Sequence, residues 1–348
     1  MRILLYGGIY PDSFARNITV TLERMGHTVY SIQDAAIYQS RVGAFWELLP
    51  RAFPALERRR YRTLVQAAGE FRPDLILLTY GNLPPAVVRE LRRASTAKLA
   101  VWYPDALLNL GRQYLLVSEL DAWFFKDPYM VRTLRHKLGI NAHYLPEACN
   151  PLWHHRVELS PDDRLRYQCD LTTASNMYYY RARMLEMFQE YDIKIWGGSY
   201  PSWLNSPLRR HYPGVYVAEE EKAKAFNAAK IVLNTMHYAE IEGVNCRLFE
   251  VAGSGAFQIA EWRPALPEVF EAEREIVTFR TREELKEKVD YYLEHADERK
   301  AIADRAYARA HREHTYEIRL GRMFEVLGLD LGPRESNDRI AARVAEDL

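Results

Sequence analysis

The sequence predicts an α/β protein built from two doubly wound domains in tandem. Short apolar segments such as Arg2–Tyr6 and Asp74–Tyr80 alternate with amphipathic helical segments, a pattern typical of a parallel sheet with helices on both faces. The alternation breaks at a polar, proline-containing stretch near 147–168 and then restarts. A length of 348 residues suits two domains. We therefore expect domains at 1–150 and 151–330, with a cleft between them.

Start and stop signals define the elements of the first domain. Asp12 or Ser13 can cap a helix that Gly26 ends, and Pro85 suits the first turn of a helix that runs to Ala94. A further helix is predicted over Pro128–Leu138. The predicted strands are Arg2–Tyr6, His27–Ile32, Asp74–Tyr80, Lys98–Trp102, Ala122–Phe125 and one near His143.

The second domain repeats the alternation. Its predicted helices are Tyr179–Tyr191, Glu219–Ala228 and Asn245–Val251, and further helices follow the last strand. Its predicted strands are Asp170–Ala174, Ile193–Trp196, Ile231–Leu233, Phe257–Ala260 and Ile276–Phe279. The tail over 331–348 is expected to form a short amphipathic helix that crosses back to the first domain.

Composition excludes several classes of protein. The net charge is zero, which argues against a general nucleic-acid binder. No apolar run approaches the length of a spanning helix. The three cysteines are widely spaced, so we do not expect a disulfide framework. Reduced thiols are typical of cytoplasmic proteins, so we expect a cytoplasmic location. Residues 1–155 carry 19 Lys/Arg against 13 Asp/Glu, which suggests that the two halves have different partners.

The most informative segment is 234–261. It reads as strand, loop, helix, Gly-Ser-Gly and strand. Asn245 can cap the helix, whose N-terminus is a natural site for a diphosphate, and Arg247 adds a fork of donors. Glu250, about one turn further on, can accept hydrogen bonds from two hydroxyl groups, such as those of a ribose. Glu242 precedes the helix and could meet the other end of the ligand.

The spacing of Glu242 and Glu250 looks like the E-x7-E signature of GT-B glycosyltransferases, especially those similar to family 4. The version here, EGVNCRLFEVAGSGAF, followed by EIVTFRTREELKEKVDYYL and HTYEIRLGRMFEVL, resembles the CgeB/YkvP-like spore-protein group. The resemblance implies a GT-B fold, with the nucleotide-sugar held by the second domain and the acceptor by the first. Where family 4 usually has Gly-Phe-Gly, this chain has Gly243-Val244-Asn245.

The same resemblance implies roles for particular residues. Glu250 would hold the ribose, and Arg247 with the helix N-terminus would hold the diphosphate. Glu242 would lie near the donor sugar, and His237 would line the same loop. Similarity to family 4 also implies retention of the anomeric configuration.

Four further positions are candidates, each with a structural alternative. Arg181 could reach a donor phosphate or lie on the surface of an amphipathic helix. Gly7 and Gly8 could admit the ligand to the mouth of the cleft or form a simple tight turn. Asp105, in the Tyr103-Pro104-Asp105 segment that follows a buried strand, could accept the proton of the acceptor hydroxyl or cap the next helix.

No metal and no cofactor are expected. The sequence contains no Asp-x-Asp pair, which GT-A enzymes use to bind a divalent cation and diphosphate. The histidines and cysteines show no metal-ligand spacing. The stretch 41–62 mixes apolar and basic residues, and it is either a helix pair packed on the core or a contact with an anionic membrane surface.

The predicted function is transfer of a sugar from a nucleoside-diphosphate sugar, such as a UDP-sugar, to a hydroxyl of a glycan, lipid-linked or protein acceptor. The candidate catalytic residues are Asp105 and Glu242. The candidate donor-binding residues are Gly7, Gly8, Arg181, His237, Asn245, Arg247 and Glu250. Two alternatives stay open: another GT-B enzyme, such as a nucleotide-sugar epimerase or a phosphorylase, and a sugar-nucleotide-binding protein without catalysis. The location is cytoplasmic or at the inner membrane face.

Overall fold

Two parallel β-sheets organise the chain in the computed structural model, which describes residues 1–33, 58–80, 83–106, 114–198 and 200–329. The predicted α/β class and all eleven predicted strands are confirmed, with strand ends within about two residues. The first sheet has the order β2-β1-β3-β4-β5-β6. Its strands are β1 (Arg2–Gly7), β2 (Thr28–Gln33), β3 (Leu75–Leu78), β4 (Lys98–Tyr103), β5 (Ala122–Phe125) and β6 (Ala142–Tyr144).

The second sheet has the order β11-β10-β9-β7-β8. Its strands are β7 (Cys169–Ala174), β8 (Ile193–Trp196), β9 (Ala229–Asn234), β10 (Gln258–Glu261) and β11 (Val277–Phe279). Strand order reverses between β7 and β9, and in the first sheet between β1 and β3. Ligands of doubly wound sheets bind at the carboxyl ends of the strands beside such reversals.

Helices cover both faces of each sheet. Those of the first half are α1 (Phe14–Arg24), α2 (Arg62–Phe71), α3 (Pro85–Ala94) and α4 (Pro128–Leu138). Those that follow are α5 (Pro161–Tyr167), α6 (Tyr179–Leu185), α7 (Glu219–Ala228), α8 (Cys246–Gly253), α9 (Leu266–Val269), α10 (Arg282–Glu294), α11 (Ala296–Glu313) and α12 (Tyr316–Leu327). None of the helices in the described residues is long and apolar enough to cross a membrane.

The prediction of one helix over Tyr179–Tyr191 is wrong in its extent. Helix α6 ends at Leu185 and is followed by a 3₁₀ turn over Glu186–Phe188. The amide of Gln189 donates to the carbonyl of Glu186, a spacing of three residues that tightens the chain. The turn buries Phe188 completely in the core of the second domain.

The helix that crosses back to the first domain is α12, which precedes the tail for which we predict this role. Tyr316, Leu320 and Phe324 of α12 pack with Phe14 and Trp102 of the first domain in one apolar cluster. Burial of such side chains contributes about 1.5–3 kcal/mol each, so α12 joins the two halves firmly. The tail over 331–348 lies outside the described residues.

The two segments that cross between the sheets run side by side. Cys149, in the first crossing segment, pairs with Thr315 in a short parallel bridge. Arg319 is fully buried beneath them and donates to the carbonyl of Pro146 (3.1 Å) and that of Glu313 (3.0 Å). Within the polar stretch near 147–168, residues 147–150, 153 and 154 are buried, whereas most of 155–166 is exposed, and the stretch contains α5.

Gly253, at the end of α8, is a point where this packing leaves no room for a side chain. A Cβ there would lie 2.6 Å from the Cβ of Cys149. We expect Gly253→Ala to lower the free energy of unfolding by about 1–3 kcal/mol through overpacking, measured by urea denaturation. Gly69→Ala is the control, since this exposed site in α2 has nothing closer than 3.8 Å and alanine should stabilise it by about 0.5–1 kcal/mol. Equal changes in the free energy of unfolding of the two variants would contradict the overpacking explanation for Gly253.

Candidate functional site

The candidate site lies where strand order reverses in the second sheet. The loop after β7 leads to Arg181, and the loop after β9 leads to Asn245 and Arg247 at the start of α8. Because β7 and β9 are adjacent parallel strands, these two loops meet at one edge of the sheet. The structure therefore brings three of the sequence-predicted donor-binding residues together.

Arg181 is held rigidly at this edge. Its Nε donates to Thr235 Oγ1 (2.9 Å), and another nitrogen donates to the carbonyl of Thr235 (3.2 Å). The ring of Tyr178 lies 4.4 Å from the guanidinium. Burial, together with the charge of Arg247, lowers the pKa of Arg181 to about 10. The surface alternative for Arg181 is therefore wrong, because only 5% of the residue is exposed.

Arg247 and Asn245 share one acceptor at the end of β9. Arg247 donates to Asn234 Oδ1 (3.1 Å) and to the carbonyl of Ala174 (2.9 Å). Asn245 Nδ2 donates to the same Asn234 oxygen at 2.8 Å, while its own Oδ1 accepts from the amide of Leu248. The predicted N-cap is confirmed, and the cap fixes where α8 begins relative to β9.

The two arginines have no anionic partner in the part of the chain that the structure describes. Neither Arg181 nor Arg247 lies within ion-pair distance of a carboxylate, and all the hydrogen bonds described for them go to neutral oxygens. Two neighbouring buried cations repel each other and lose hydration. Such an arrangement is suited to an anionic ligand that carries more than one charge.

Glu250 lies further along α8 and is buried in an ion pair. Its Oε2 is 2.9 Å from Lys222 Nζ, and the same ammonium contacts Asp12 of the loop between β1 and α1. Burial alone would raise the pKa of Glu250, but the ammonium outweighs it and holds this pKa well below its usual range. Glu250 is therefore a carboxylate, able to accept hydrogen bonds from hydroxyl groups.

Asp12, His154 and Glu250 form a group close enough to be considered as metal ligands among the described residues. Two features do not fit a divalent cation. The Lys222 ammonium already lies between the two carboxylates, and His154 Nδ1 accepts from the amide of Asn150 (2.9 Å). Burial lowers the pKa of His154 to about 3, so the ring is neutral and its proton is on Nε2, the atom that faces Asp12.

The structure does not bring Glu242 to Glu250. Its side chain reaches across to the first domain and pairs with Arg132 of α4 at 2.6 Å. The amides of Ile241 and Glu242 donate to Asp127, which also caps α4. A Cβ at Gly243 would lie 2.6 Å from the carbonyl of Lys126. The loop before α8 is therefore a domain contact, and a catalytic role for Glu242 stays a prediction.

A second buried lysine joins the domains beside Asp105. Lys126, directly after β5, lies 2.5 Å from Glu240 of the second domain and 3.9 Å from Glu147. Burial opposes the ammonium, but Glu240 and Glu147 outweigh it and raise the pKa of Lys126. Asp105, after β4, is half-buried and close enough to contribute to the same shift. That Asp105 faces the cleft, as its position after a strand suggests, stays a prediction.

Burial of Glu147 makes the free energy of unfolding depend on pH. Burial raises the pKa of Glu147 to about 8, so the folded state holds this proton more tightly than the unfolded state, whose pKa is near 4.5. The stabilisation is complete below about pH 4.5 and is lost as the pH rises through 8. We expect Glu147→Gln to remove a few kcal/mol of this pH dependence, measured by denaturation at pH 5 to 8.5. The exposed Glu158→Gln is the control, and an unchanged slope in Glu147→Gln would contradict the assignment.

The remaining predicted residues lie nearby. His237 packs on Tyr178 (ring centroids 5.0 Å apart), whose ring in turn covers Arg181. Gly7 and Gly8 are buried at the end of β1. A Cβ at Gly7 would lie 1.9 Å from Thr79 Oγ1, which is a packing reason for this glycine. The donor-binding roles of these residues stay predictions.

Sequence reasoning missed Asp12, Lys222 and His154 as parts of the site. The sequence indicates only a helix cap for Asp12, whereas Ser13 supplies the cap. His154 lies in the polar stretch near 147–168, yet it is fully buried. A signal existed for Lys222, because it shares a face of α7 with the buried Ala225 and Phe226. A lysine on an apolar face predicts a buried partner.

Of the stretch 41–62, residues 41–57 lie outside the described residues. Arg58, Arg59 and Arg62 are exposed and line an open groove with Val65, Gln66 and Glu90. Arg58 lies 3.7 Å from Glu90. Contact of this stretch with a membrane stays a prediction.

A family model matches the part of the chain that contains the candidate site. The model of the family described as "Glycosyl transferase-like" matches residues 181–325, which include Arg181, Asn245, Arg247 and Glu250. No curated protein matches the chain.

Solved structures match over nearly the whole chain. A sucrose-phosphate synthase from Thermosynechococcus elongatus has a TM-score of 0.68 at 14% identity, covering 94% of this chain and 99% of its own. HepE of Anabaena, in complex with UDP and glucose, has a TM-score of 0.63 at 13% identity, covering 94% and 99%. A glycosyltransferase from Rickettsia africae has a TM-score of 0.62 at 11% identity, covering 94% and 97%. The chain therefore has the GT-B fold, and its second half is similar to the glycosyl transferase-like family.

Proposed function

We propose that the protein transfers a sugar from a nucleoside-diphosphate sugar, with a UDP-sugar as the first candidate, to a hydroxyl group of an acceptor. The observation that carries this proposal is the pair of buried guanidinium groups, Arg181 and Arg247, that lack an anionic partner in the described residues. A diphosphate supplies two or more negative charges, and its oxygens accept charge-assisted hydrogen bonds from guanidinium groups. The UDP in the HepE structure supports this ligand class.

In this proposal the second domain binds the donor. Arg181, Arg247 and the N-terminus of α8 would hold the diphosphate and stabilise the charge that grows on it as the glycosidic bond breaks. Glu250, kept ionised by Lys222, would accept hydrogen bonds from the ribose. The arginines and the helix supply the positive charge that a divalent cation supplies elsewhere, so we expect binding without added metal.

The first domain would present the acceptor. Asp105, whose charge contributes to the raised pKa of Lys126, is the proposed acceptor of the hydroxyl proton. We propose retention of the anomeric configuration, as in the CgeB/YkvP-like and family 4 enzymes that the sequence resembles. Glycans, lipid-linked precursors and proteins are the proposed acceptor classes, reached from the cytoplasm or the inner membrane face. Closure of the cleft would keep water from hydrolysing the donor.

A thermal-shift screen against UDP, GDP, dTDP, CDP and their common sugars tests the donor assignment. A ligand that binds the folded state raises its melting temperature. We expect one nucleotide to give a selective shift in the presence of EDTA, and we expect Glu250→Ala and Glu250→Gln to lose it. No shift with any nucleotide, in a protein shown to be folded, would contradict the proposal.

Product analysis with the selected donor separates transfer from its alternatives. Transfer requires an acceptor and releases the nucleoside diphosphate. An altered nucleotide-sugar formed without an acceptor would indicate an epimerase, and dependence on inorganic phosphate would indicate a phosphorylase. Donor binding without turnover would indicate a binding protein.

A further inference from the structure

Lys222 connects the two domains through the candidate site. Its ammonium is buried and lies between two carboxylates, Glu250 of its own domain and Asp12 of the first domain. Asp12 and Glu250 carry two negative charges against one positive charge, so each competes for the same ammonium. The strength of the ion pair between Lys222 and Glu250 therefore depends on whether the first domain places Asp12 beside Lys222.

The loop that carries Asp12 is energetically strained in this position. Asp12 has a φ of 65°, in the left-handed region, and its Oδ1 is buried with no hydrogen-bond partner among the described residues. Glu219, which receives Arg16 of α1 at 2.5 Å, also has a positive φ, of 53°. Strained residues persist where the surrounding contacts require them. Two non-glycine residues with positive φ thus lie at this one contact between the domains.

The contact lies beside the proposed donor site rather than on a remote surface. Lys222 and Glu250 belong to α7 and α8, which pack against each other and against β9. Asp12 follows β1, at the point where strand order reverses in the first sheet. The contact therefore joins the ligand-facing edges of both sheets.

We propose that Lys222 is a positioning residue that orients Glu250 for the donor, and that Asp12 makes this orientation depend on closure of the two domains. The inference rests on the proposed function. In the closed form Lys222 is divided between Asp12 and Glu250, which leaves Glu250 Oε1 to accept from a ligand hydroxyl. Without Asp12, Lys222 pairs with Glu250 alone and the closed form loses an ionic contact. A binding-competent form that is less populated binds its ligand proportionately more weakly.

Titration calorimetry with UDP on the full chain tests this inference. We expect Asp12→Asn and Lys222→Met each to weaken UDP binding about tenfold or more. Lys222→Arg should restore part of the affinity, since it keeps the charge. The double variant with Asp12→Asn and Lys222→Met should bind UDP no more weakly than the single variant with the lower affinity, because both substitutions remove the same ion pair. Arg16→Gln removes the more exposed ion pair of the same contact and should change the affinity less than twofold.

Small-angle scattering gives a readout that a merely structural role would not move. UDP should reduce the radius of gyration of the wild type more than that of Asp12→Asn. Wild-type affinity and closure in a folded Asp12→Asn protein would overturn this inference and leave the proposed function in place. Failure of the wild type to bind any nucleoside diphosphate would overturn both.

Discussion

Replacing Arg247 with glutamine is expected to weaken nucleoside-diphosphate binding at least a hundredfold while changing the stability of the free protein by less than about 1 kcal/mol. The affinity loss follows from the charge-assisted hydrogen bonds that a guanidinium makes to phosphate, each worth about 1.5–3 kcal/mol. Stability should change little because the lost hydrogen bonds to Ala174 and Asn234 are offset by removal of one of two neighbouring buried cations. Calorimetric titration with UDP and urea denaturation measure the two quantities.

Arg183→Gln is the matched control for this variant. Arg183 lies on the same short helix as Arg181, but its side chain is 71% exposed and pairs with Glu186 at the surface. Arg183→Gln should bind UDP with wild-type affinity, whereas Arg181→Gln should lose affinity as Arg247→Gln does. Binding by Arg247→Gln within about threefold of wild type would remove the basis for a diphosphate site here.

Replacing Lys126 with methionine is expected to lower the free energy of unfolding by about 3–5 kcal/mol. The side chains of Lys126 and Glu240 are 7% and 3% exposed, so the substitution leaves a buried carboxylate without its cation. Adding Glu240→Gln to this variant should recover most of the loss, because the uncompensated charge is then removed. Urea denaturation near neutral pH measures each variant.

Lys300→Met gives the surface reference for this result. Lys300 pairs with Asp304 one helical turn away, and its side chain is 75% exposed. The free energy of unfolding should change by less than about 0.5 kcal/mol. If Lys126→Met were as mild as Lys300→Met, the ion pair between the domains would not contribute to holding them together.

Much of the proposed donor-binding part of the site could be predicted from the sequence because its residues lie in continuous motifs. Asn245, Arg247 and Glu250 share one helix with a recognisable cap, and Arg181 follows the first strand of the same sheet. The strand pattern places both loops at one edge. Local propensity and sheet topology are enough to bring these side chains together.

The contacts across the cleft could not be predicted in this way. Lys222 meets Asp12, and Glu242 meets Arg132, across long stretches of sequence. Their meeting depends on how the two domains pack, which no local pattern encodes. The spacing of Glu242 and Glu250 suggests two groups that contact one ligand, whereas in the structure the Glu242 side chain pairs with Arg132 of the first domain.

A crystal structure of the protein with UDP tests the central claim most directly. We expect diphosphate oxygens within hydrogen-bond distance of both Arg181 and Arg247 at the N-terminus of α8, with the ribose hydroxyls hydrogen-bonded to Glu250. UDP bound elsewhere, for example in the open groove beside Arg58 and Arg62, with the two guanidinium groups unoccupied, would contradict it.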